Sequence, residues 1–441
     1  MERGNQKGFA PAAGVPACND STFHVVPHPL PRRYLTDSLG IGGAIKSRPE
    51  DFLVEEHPLY EPCGNGEHLY LYVEKSDVAH AELMSVLRRH FRVRESAIGF
   101  AGMKDKHAIT RQLVSIHIPG PNPGTDIDHR RIRVLWTDRH RNKLRRGHLA
   151  RNRFSIRIRD VDPFRVLQVK RVLEHLARQG VPNYFGYQRF GYRRNNHLVG
   201  AAILRNQWQA AADELLGSRG SPAPEFQAER RTLYDQGQFA EAAALWTPAD
   251  RAELMACRLL AQGKSPAVAC QAIGQPAISF WISAVQSFVF NHVLDARLEA
   301  GTFDQLLPGD IAWKHDSRAT FDITQAEFDS GELLRRLDVF EISPSGPLWG
   351  AGMRRASGEI DRVEIEPLGL LDLDPEHFAV NRVKGHRRPL RVRVSDIEVD
   401  SGADEHGPFI RTAFDLPRGA YATVVLREIM KNELLNDESD S

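Results

Sequence analysis

The side chain best placed for chemistry in this 441-residue chain is Asp105. It sits in IGFAGMKDKHAITRQ, residues 98–112, between Lys104 and Lys106, with His107 and Arg111 close behind. Ammonium groups that converge on a carboxylate favour its charged form. A charged carboxylate can attack as a nucleophile or accept a proton, but cannot donate one. Gly99 and Gly102 would let the backbone turn tightly and expose the group. The spacing fits an aspartate in a surface turn with lysine neighbours equally well.

Asn152 and Phe154 stand two apart after the basic run RHRNKLRRGHLARN, so a strand through RFSIRIR would put both on one face. Asn can orient a carboxylate or read a base edge, and Phe can stack on a base. A turn and a core position account for the pair as well. Residues 180–196, GVPNYFGYQRFGYRRNN, interleave Tyr184, Phe185, Tyr187, Phe190 and Tyr192 with Arg189, Arg193 and Arg194. Rings that stack on unpaired bases, beside guanidiniums that pair with phosphate, favour RNA contact over a Gly-rich loop with core aromatics. No Walker loop, dinucleotide fingerprint, HExxH, zinc-deaminase or GxSxG pattern occurs. Cys18, Cys63, Cys257 and Cys270 are scattered, with no CxxC pair and no histidine at ligand spacing. Free thiols in a reducing cytoplasm are therefore expected, and no metal site.

The formal charge of +1 hides an uneven distribution. About a dozen Lys and Arg lie between Arg130 and Arg159 against Asp138 alone, while acids gather in DLDPEH, DSGADEH and the tail NDESDS. Clustered bases are a solvated face or a nucleic-acid footprint, and the balance favours a polyanion partner. The candidate RNA contacts are Lys106, His107, Arg139, Lys143, Arg145, Arg146 and Arg189.

Positioning these groups requires interleaved strands and helices. FLVEE, HLYLYVEK, QLVSIHI and RFSIRIR read as strands, and Asp77 can cap a helix through Val78, Leu83, Val86 and Leu87. Asp162 and Pro163 open a helix through Val166, Val169, Leu173 and Leu176 that Gly180 and Pro182 close. Beyond about Arg194 the chain turns helical and rich in Ala, Gln and Glu. SFWISAVQSFVFNHVLDARLEA carries Trp281, Val285, Phe288, Val289 and Val293 on its apolar stripe. RRPLRVRVSDIEVD and GPFIRTAFDL return to strands, and GAYATVVLREIMKNELL closes as a helix. The length exceeds one core, and the two ends resemble each other more than the middle, which suggests a second domain inserted into a first. The start of the chain has no signal-peptide order and no apolar run is long enough to span a bilayer.

Seven segments, in order, resemble one family, the TruD-type tRNA pseudouridine synthases. They are RPEDFLVEE, FAGMKDKHAITRQ, RHRNKLRRGHLARNRF, GVPNYFGYQRFG, FWISAVQSFVFNHVLDARL, PSGPLWG and LPRGAYATVVLREI, from about Gly40 to about Leu434. The resemblance implies that Asp105 is the catalytic nucleophile, its neighbour Lys104 is the expected charge partner, and Asn152 is expected to orient Asp105 or the uracil. It implies substrate contacts from Phe52, Asn152, Phe154 and Tyr421. Arg151 stands where the family's GNxF motif has Gly, and Tyr421 where the bacterial pattern has Phe.

The implied reaction breaks the N1–C1′ bond of a uridine, turns the uracil and joins C5 to C1′, an isomerisation that needs neither metal nor organic cofactor. The implied target is the uridine at position 13 of tRNA for glutamate. The implied fold class is α+β, a pseudouridine-synthase catalytic domain with a mixed, mostly antiparallel sheet plus an inserted α/β TRUD domain. The expected limits are a poorly ordered extension over 1–35, a bipartite catalytic domain over 36–179 and 391–434, the insertion over 180–390 and an acidic tail over 435–441. A cytoplasmic monomer acting on tRNA, with no membrane partner, is the expectation. A non-catalytic RNA-binding or RNA-folding protein would also explain the bases and rings, though not the setting of Asp105. A hydrolase that releases uracil would use the same aspartate.

Overall fold

Period-two alternation in the first third of the chain produces strands where it is expected, in a computed structural model that describes residues 28–432. They are β1 (Phe52–Pro58), β2 (His68–Ser76), β3 (Ile98–Phe100), β4 (Ile109–His117), β5 (Ile132–His140) and β6 (Leu149–Arg159). A short β7 (Val181–Pro182) follows, then a small sheet of β8 (Ile311–Lys314), β9 (Thr320–Asp322), β10 (Ile342–Leu348) and β11 (His386–Pro389). Next, β12 (Arg391–Val392) pairs back on β7, and β13 (Ser395–Asp404) and β14 (Gly407–Pro417) rejoin the first strands. The large sheet has eight strands in the order β13-β14-β6-β1-β4-β2-β5, with β3 added beside β4. Only the β1–β4 pairing is parallel, so the sheet is mixed and mostly antiparallel, in an α+β chain.

Helix α1 (His80–Phe91) lies over Leu69, Leu71 and Val73 of β2, while Tyr70 and Tyr72 fill a separate cluster with Leu113, Leu144 and Leu149. Asp77 does not cap α1, contrary to the sequence expectation: the N-cap is Ala79, and Asp77 is in the left-handed region at φ 50°. Helix α2 (Val166–Gln179) starts as expected, with the Asp162 carboxylate accepting from the Phe164 N–H at 3.0 Å. It ends where Gly180 turns to φ 90° and breaks the hydrogen-bond ladder.

Between β7 and β12 the chain builds a helical array around Gln275–Glu299 and an antiparallel small sheet. Because β7 and β12 are paired, with Val181 opposite Val392, the chain leaves and returns at neighbouring points. Helix Gln275–Glu299 corrects one expectation: its mean hydropathy reaches 1.3 over 18 residues, so length and composition would suffice to cross a bilayer. Ser, Gln, Asn and His interrupt the apolar run in the sequence without lowering that mean much. In the fold it is a core strut, with Trp281, Val285, Phe288, Val289 and Val293 buried. The same hydrophobic cluster continues through α2 and the closing helix Ala422–Met430 to Phe154 and Phe414 of the large sheet.

Residues 28–35, expected in a poorly ordered extension, are held. Leu30 is buried, the Pro29 carbonyl accepts from Asn291 at 3.1 Å, and the Leu35 N–H donates to Glu428 at 2.9 Å. Local Pro-rich composition concealed these distant partners. Cys18, the rest of the extension and the acidic tail lie outside the described residues.

Candidate active site

Register lines up the site before any loop is considered. Phe52, Val54 and Glu56 of β1 stand opposite Ile156, Phe154 and Asn152 of β6, which stand opposite Thr412, Phe414 and Leu416 of β14. Residues directly opposite share a face, so Phe52, Glu56, Asn152 and Phe154 project together. Phe52 and Phe154 meet edge to face, with ring centres 6.4 Å apart, and Phe154 tilts onto Phe414 at 5.8 Å. Asp51, just before Phe52, is clamped by Arg159 through two bonds of 2.6 and 3.0 Å, and the same guanidinium holds Asp404 at 2.6 Å. This buried bidentate pair fixes where β1 begins, and so where the Phe52 ring sits.

The loop between β3 and β4 carries Asp105, and three contacts shape it. The buried Lys75 ammonium donates to the Asp105 carbonyl at 2.6 Å and to the Val78 carbonyl at 2.7 Å. Burial pushes that ammonium down to about 8, with the Asp105 and Asp77 charges opposing the shift. Asp77 takes His107 at 3.1 Å and Arg131 at 2.8 Å, tying down the far side of the loop. The Asp105 carboxylate itself is 44% exposed and faces the Lys46 ammonium at 3.4 Å. Lys46 also lies 5.1 Å from the centre of the Phe52 ring, so one cation links the carboxylate to the aromatic pair.

Lys104 therefore does not serve as the ion-pair partner of Asp105. Its ammonium sits 2.8 Å from a Glu56 carboxylate oxygen and donates to the Asn152 side-chain oxygen at 2.7 Å. Glu56 is almost fully buried, and burial raises its pKa although Lys104 opposes the shift. The Lys104 side chain is buried, whereas the Asp105 carboxylate stays open to solvent. Asn152 is thereby fixed by Lys104, with no direct bond to Asp105. Nor do both glycines serve the turn: a Cβ on Gly99 would lie 2.2 Å from the Leu144 carbonyl, whereas Gly102 has room for one. Gly99 allows close packing of the neighbouring basic loop.

Tyr421 is the N-cap residue of Ala422–Met430 and is half-buried. It lies four residues beyond the end of β14, at the end of the sheet marked by Asn152 and Glu56. Arg388 secures this loop from the insertion, donating to the Gly419 carbonyl at 3.0 Å and to the Asn183 side chain at 2.5 Å. Burial, with Arg189 adding to it, pushes the Arg388 guanidinium down to about 10 against the nearby Tyr421.

The candidate RNA contacts divide sharply. Lys106, Arg145 and Arg146 are exposed, and Arg146 also covers the Phe100 ring at 5.5 Å. His107 is exposed but paired with Asp77. Arg139 is a correction: it is buried, and its guanidinium is spent on Asn122, Ile118 and Gly120. Lys143 donates to the Ser96 carbonyl at 2.6 Å, and Arg189 is held by Ser283 between Phe185 and Phe280. Most of the basic run is neutralised in the same way. Arg133 of β5 pairs with Glu74 opposite it on β2, and Arg151 and Arg153 pair with Asp415 and Arg157 with Asp404 because the acidic β13–β14 hairpin runs beside β6. The aromatic segment 180–196 also belongs largely to the interior: Tyr184, Phe185, Phe190 and Arg193 are buried.

Sequence reasoning missed Lys46, Asp51, Glu56, Lys75 and Arg388. A lone Lys75 ending the alternating strand HLYLYVEK, and an Asp directly before Phe52, were the available signals. Lys46 and Arg388 carried none, since their partners are remote. Among the described residues no cluster of three or more His, Cys, Asp or Glu is arranged to hold a metal ion.

Comparison with known proteins matches most of the chain. The model of the family described as tRNA pseudouridine synthase D (TruD) matches residues 31–429. The tRNA pseudouridine synthase D of Geobacter metallireducens is 40% identical over 405 residues, covering 91% of this chain and 98% of that protein. That of Thermus thermophilus is 35% identical over 410 residues, covering 92% and 94%. The crystal structure of a putative tRNA pseudouridine synthase D from Methanosarcina mazei superposes with a TM-score of 0.77 at 29% identity, over 92% of this chain and 97% of that one. With the described site residues inside the matched span, the chain belongs to the TruD family of tRNA pseudouridine synthases.

Proposed function

We propose that this protein isomerises a specific uridine of tRNA to pseudouridine with Asp105 as the nucleophile, and that the target is position 13 of tRNA for glutamate. The observation that carries the reading is the Asp105–Lys46–Phe52–Phe154 constellation, in which an open carboxylate stands beside a cation and an aromatic pair. A uridine in a helical stem must leave the stack to reach it, at a cost of a few kcal/mol. Half-buried Tyr421 offers the everted base a ring worth about 1–3 kcal/mol, and the buried Phe52–Phe154 pair forms the apolar wall the base meets. The Asp105 carboxylate then attacks C1′, or takes a proton from the sugar, and the N1–C1′ electron pair leaves with uracil. The base turns and C5 bonds to C1′ as the C1′–Asp105 bond breaks and returns its electron pair to the carboxylate, or, in the proton-abstraction route, as the sugar takes its proton back; C5 then loses its proton and N1, freed of C1′, gains one. Atoms balance without an external oxidant, reductant or group donor, so the reaction calls for no cofactor. Lys46 neutralises charge beside the carboxylate, and Asn152, anchored by Lys104, faces the base. The working form is proposed to be a cytoplasmic monomer.

The test compares wild type with Asp105→Asn on uridine-containing tRNA, with pseudouridine and free base both measured. Pseudouridine from the wild type alone, with tRNA binding kept by both, is the expected result. Free uracil as product would instead make the protein a hydrolase. Equal pseudouridine from both proteins would remove Asp105 from the mechanism. Mapping pseudouridine in total RNA with and without the protein identifies the target.

A further inference from the structure

An open cavity in the insertion lies against the small sheet, and Asp105 is not part of its wall. It encloses about 600 Å³ and is lined by Trp313, Arg318, Met353, Arg354, His386 and Arg387 among others, with no carboxylate in its wall. That volume suits one nucleotide-sized ligand. Trp313 of β8 is half-buried and stands opposite Thr320, also in the wall, across the β8–β9 hairpin. The floor is rigid because two glycine backbones touch: a Cβ on Gly385 would lie 2.3 Å from the Gly350 carbonyl.

The cations of this cavity are not equivalent. Arg387 is buried on Glu364, with bonds of 2.7 Å from both terminal nitrogens, and Arg354 pairs with Asp322 at the rim. Arg318 is exposed at the hairpin turn, where it adopts φ 61°, and no carboxylate pairs with it among the described residues. Partial burial lowers its pKa, with the Arg418 charge adding to the shift. Arg418, in the loop that leads to Tyr421, likewise has no carboxylate partner among the described residues and donates to the Gly147 carbonyl. Gly147 follows Arg145 and Arg146 directly. His386 shares a face of β11 with Arg388, which holds the Gly419 carbonyl of the same loop at 3.0 Å. Arg418 therefore ties the loop that leads to Tyr421 to the exposed basic loop.

A guanidinium without a carboxylate partner is a site for phosphate, and an indole in the same wall is a surface for a base. Resting on the tRNA reading above, we infer that this cavity holds a second, unpaired nucleotide of the substrate RNA, with its base against Trp313 and its phosphate on Arg318. The insertion thereby measures the distance from the target uridine to a nucleotide elsewhere in the tRNA.

The test uses full-length Arg318→Ala, Trp313→Ala and Trp313→Phe proteins with intact tRNA and with a short stem–loop that carries only the target uridine. With intact tRNA, Arg318→Ala should raise KM about 5–10-fold at unchanged kcat, and reduce the salt slope of binding by about 1. Trp313→Ala should raise KM with the slope unchanged, and Trp313→Phe should restore most of the loss. On the stem–loop all four proteins should behave alike. Wild-type KM for intact tRNA in both alanine variants overturns the inference, as does an equal loss on the stem–loop. Saturable binding of uridine or adenosine monophosphate that leaves tRNA binding unaltered assigns the cavity to a free nucleotide and overturns it too. Failure of the wild type to make pseudouridine defeats the proposed reaction instead, and the binding measurements still judge the cavity.

Discussion

Asp105 owes its placement to a residue that never touches its carboxylate. Lys75 grips the Asp105 carbonyl from inside the sheet, so the loop backbone is fixed while the side chain stays open to solvent. Holding a charged ammonium there has a consequence for stability. Its folded pKa, about 8, lies below the ordinary lysine value of 10.5, so the folded state disfavours the proton. The destabilising effect is fully present below pH 8 and fades as pH rises from about 8 to 10.5, where the unfolded chain still binds the proton and the folded one does not. Wild type should therefore gain stability relative to Lys75→Met across that window, read from urea midpoints at several pH values. A pH-independent difference would show that burial does not depress Lys75. The same variant frees the Asp105 carbonyl and should lower the rate of pseudouridine formation at least tenfold at pH 7.5. At this scale the sequence marked Asp105, Asn152, Phe52 and Phe154 through motifs. It assigned Lys104 to Asp105 because the two are adjacent, whereas side-chain direction sends Lys104 to Glu56 and Asn152.

Strands and helices place these groups through register. Because Glu56, Asn152 and Leu416 lie in one row, and Phe52 lies on the same face, a one-residue slip of β6 would send Asn152 and Phe154 to the opposite side. The small sheet of the insertion depends on a different device, the fully buried Arg387–Glu364 pair, with both side chains 1% exposed. Burial pushes the Glu364 carboxyl up, and Arg387 holds it charged by hydrogen bonds and attraction. Arg387→Met should destabilise the protein by about 3–5 kcal/mol, because it strands a buried carboxylate. Adding Glu364→Leu should recover most of that loss in chemical denaturation, and no recovery would mean that Arg387 acts mainly through its bonds to Ser345. Strands with clean alternation and the long apolar helix were legible from the sequence. The cap of α1 was not, because Asp77 is needed to hold His107 and Arg131.

The whole molecule decides which charges remain available to RNA. The acidic hairpin β13–β14 comes from the end of the chain and neutralises the arginines of β6, leaving Arg145 and Arg146 as exposed members of the basic loop. Replacing either with Ala should weaken tRNA binding and lower the salt slope by about 1, with an unchanged melting temperature. Arg153→Ala, which removes the partner of Asp415 and Glu398, should instead lower the melting temperature and leave the salt slope near wild type. An altered slope for Arg153→Ala would place β6 in the footprint after all. By itself the sequence determined the strand and helix periods, the motif order and the aspartate in its KDK loop, because each is a local pattern of side-chain type. Only the tertiary structure decided which cation meets which carboxylate and which base meets solvent. Those partners are far apart along the chain, 30 residues from Lys75 to Asp105 and 108 from Asp51 to Arg159, and burial and direction exist only once the strands are paired.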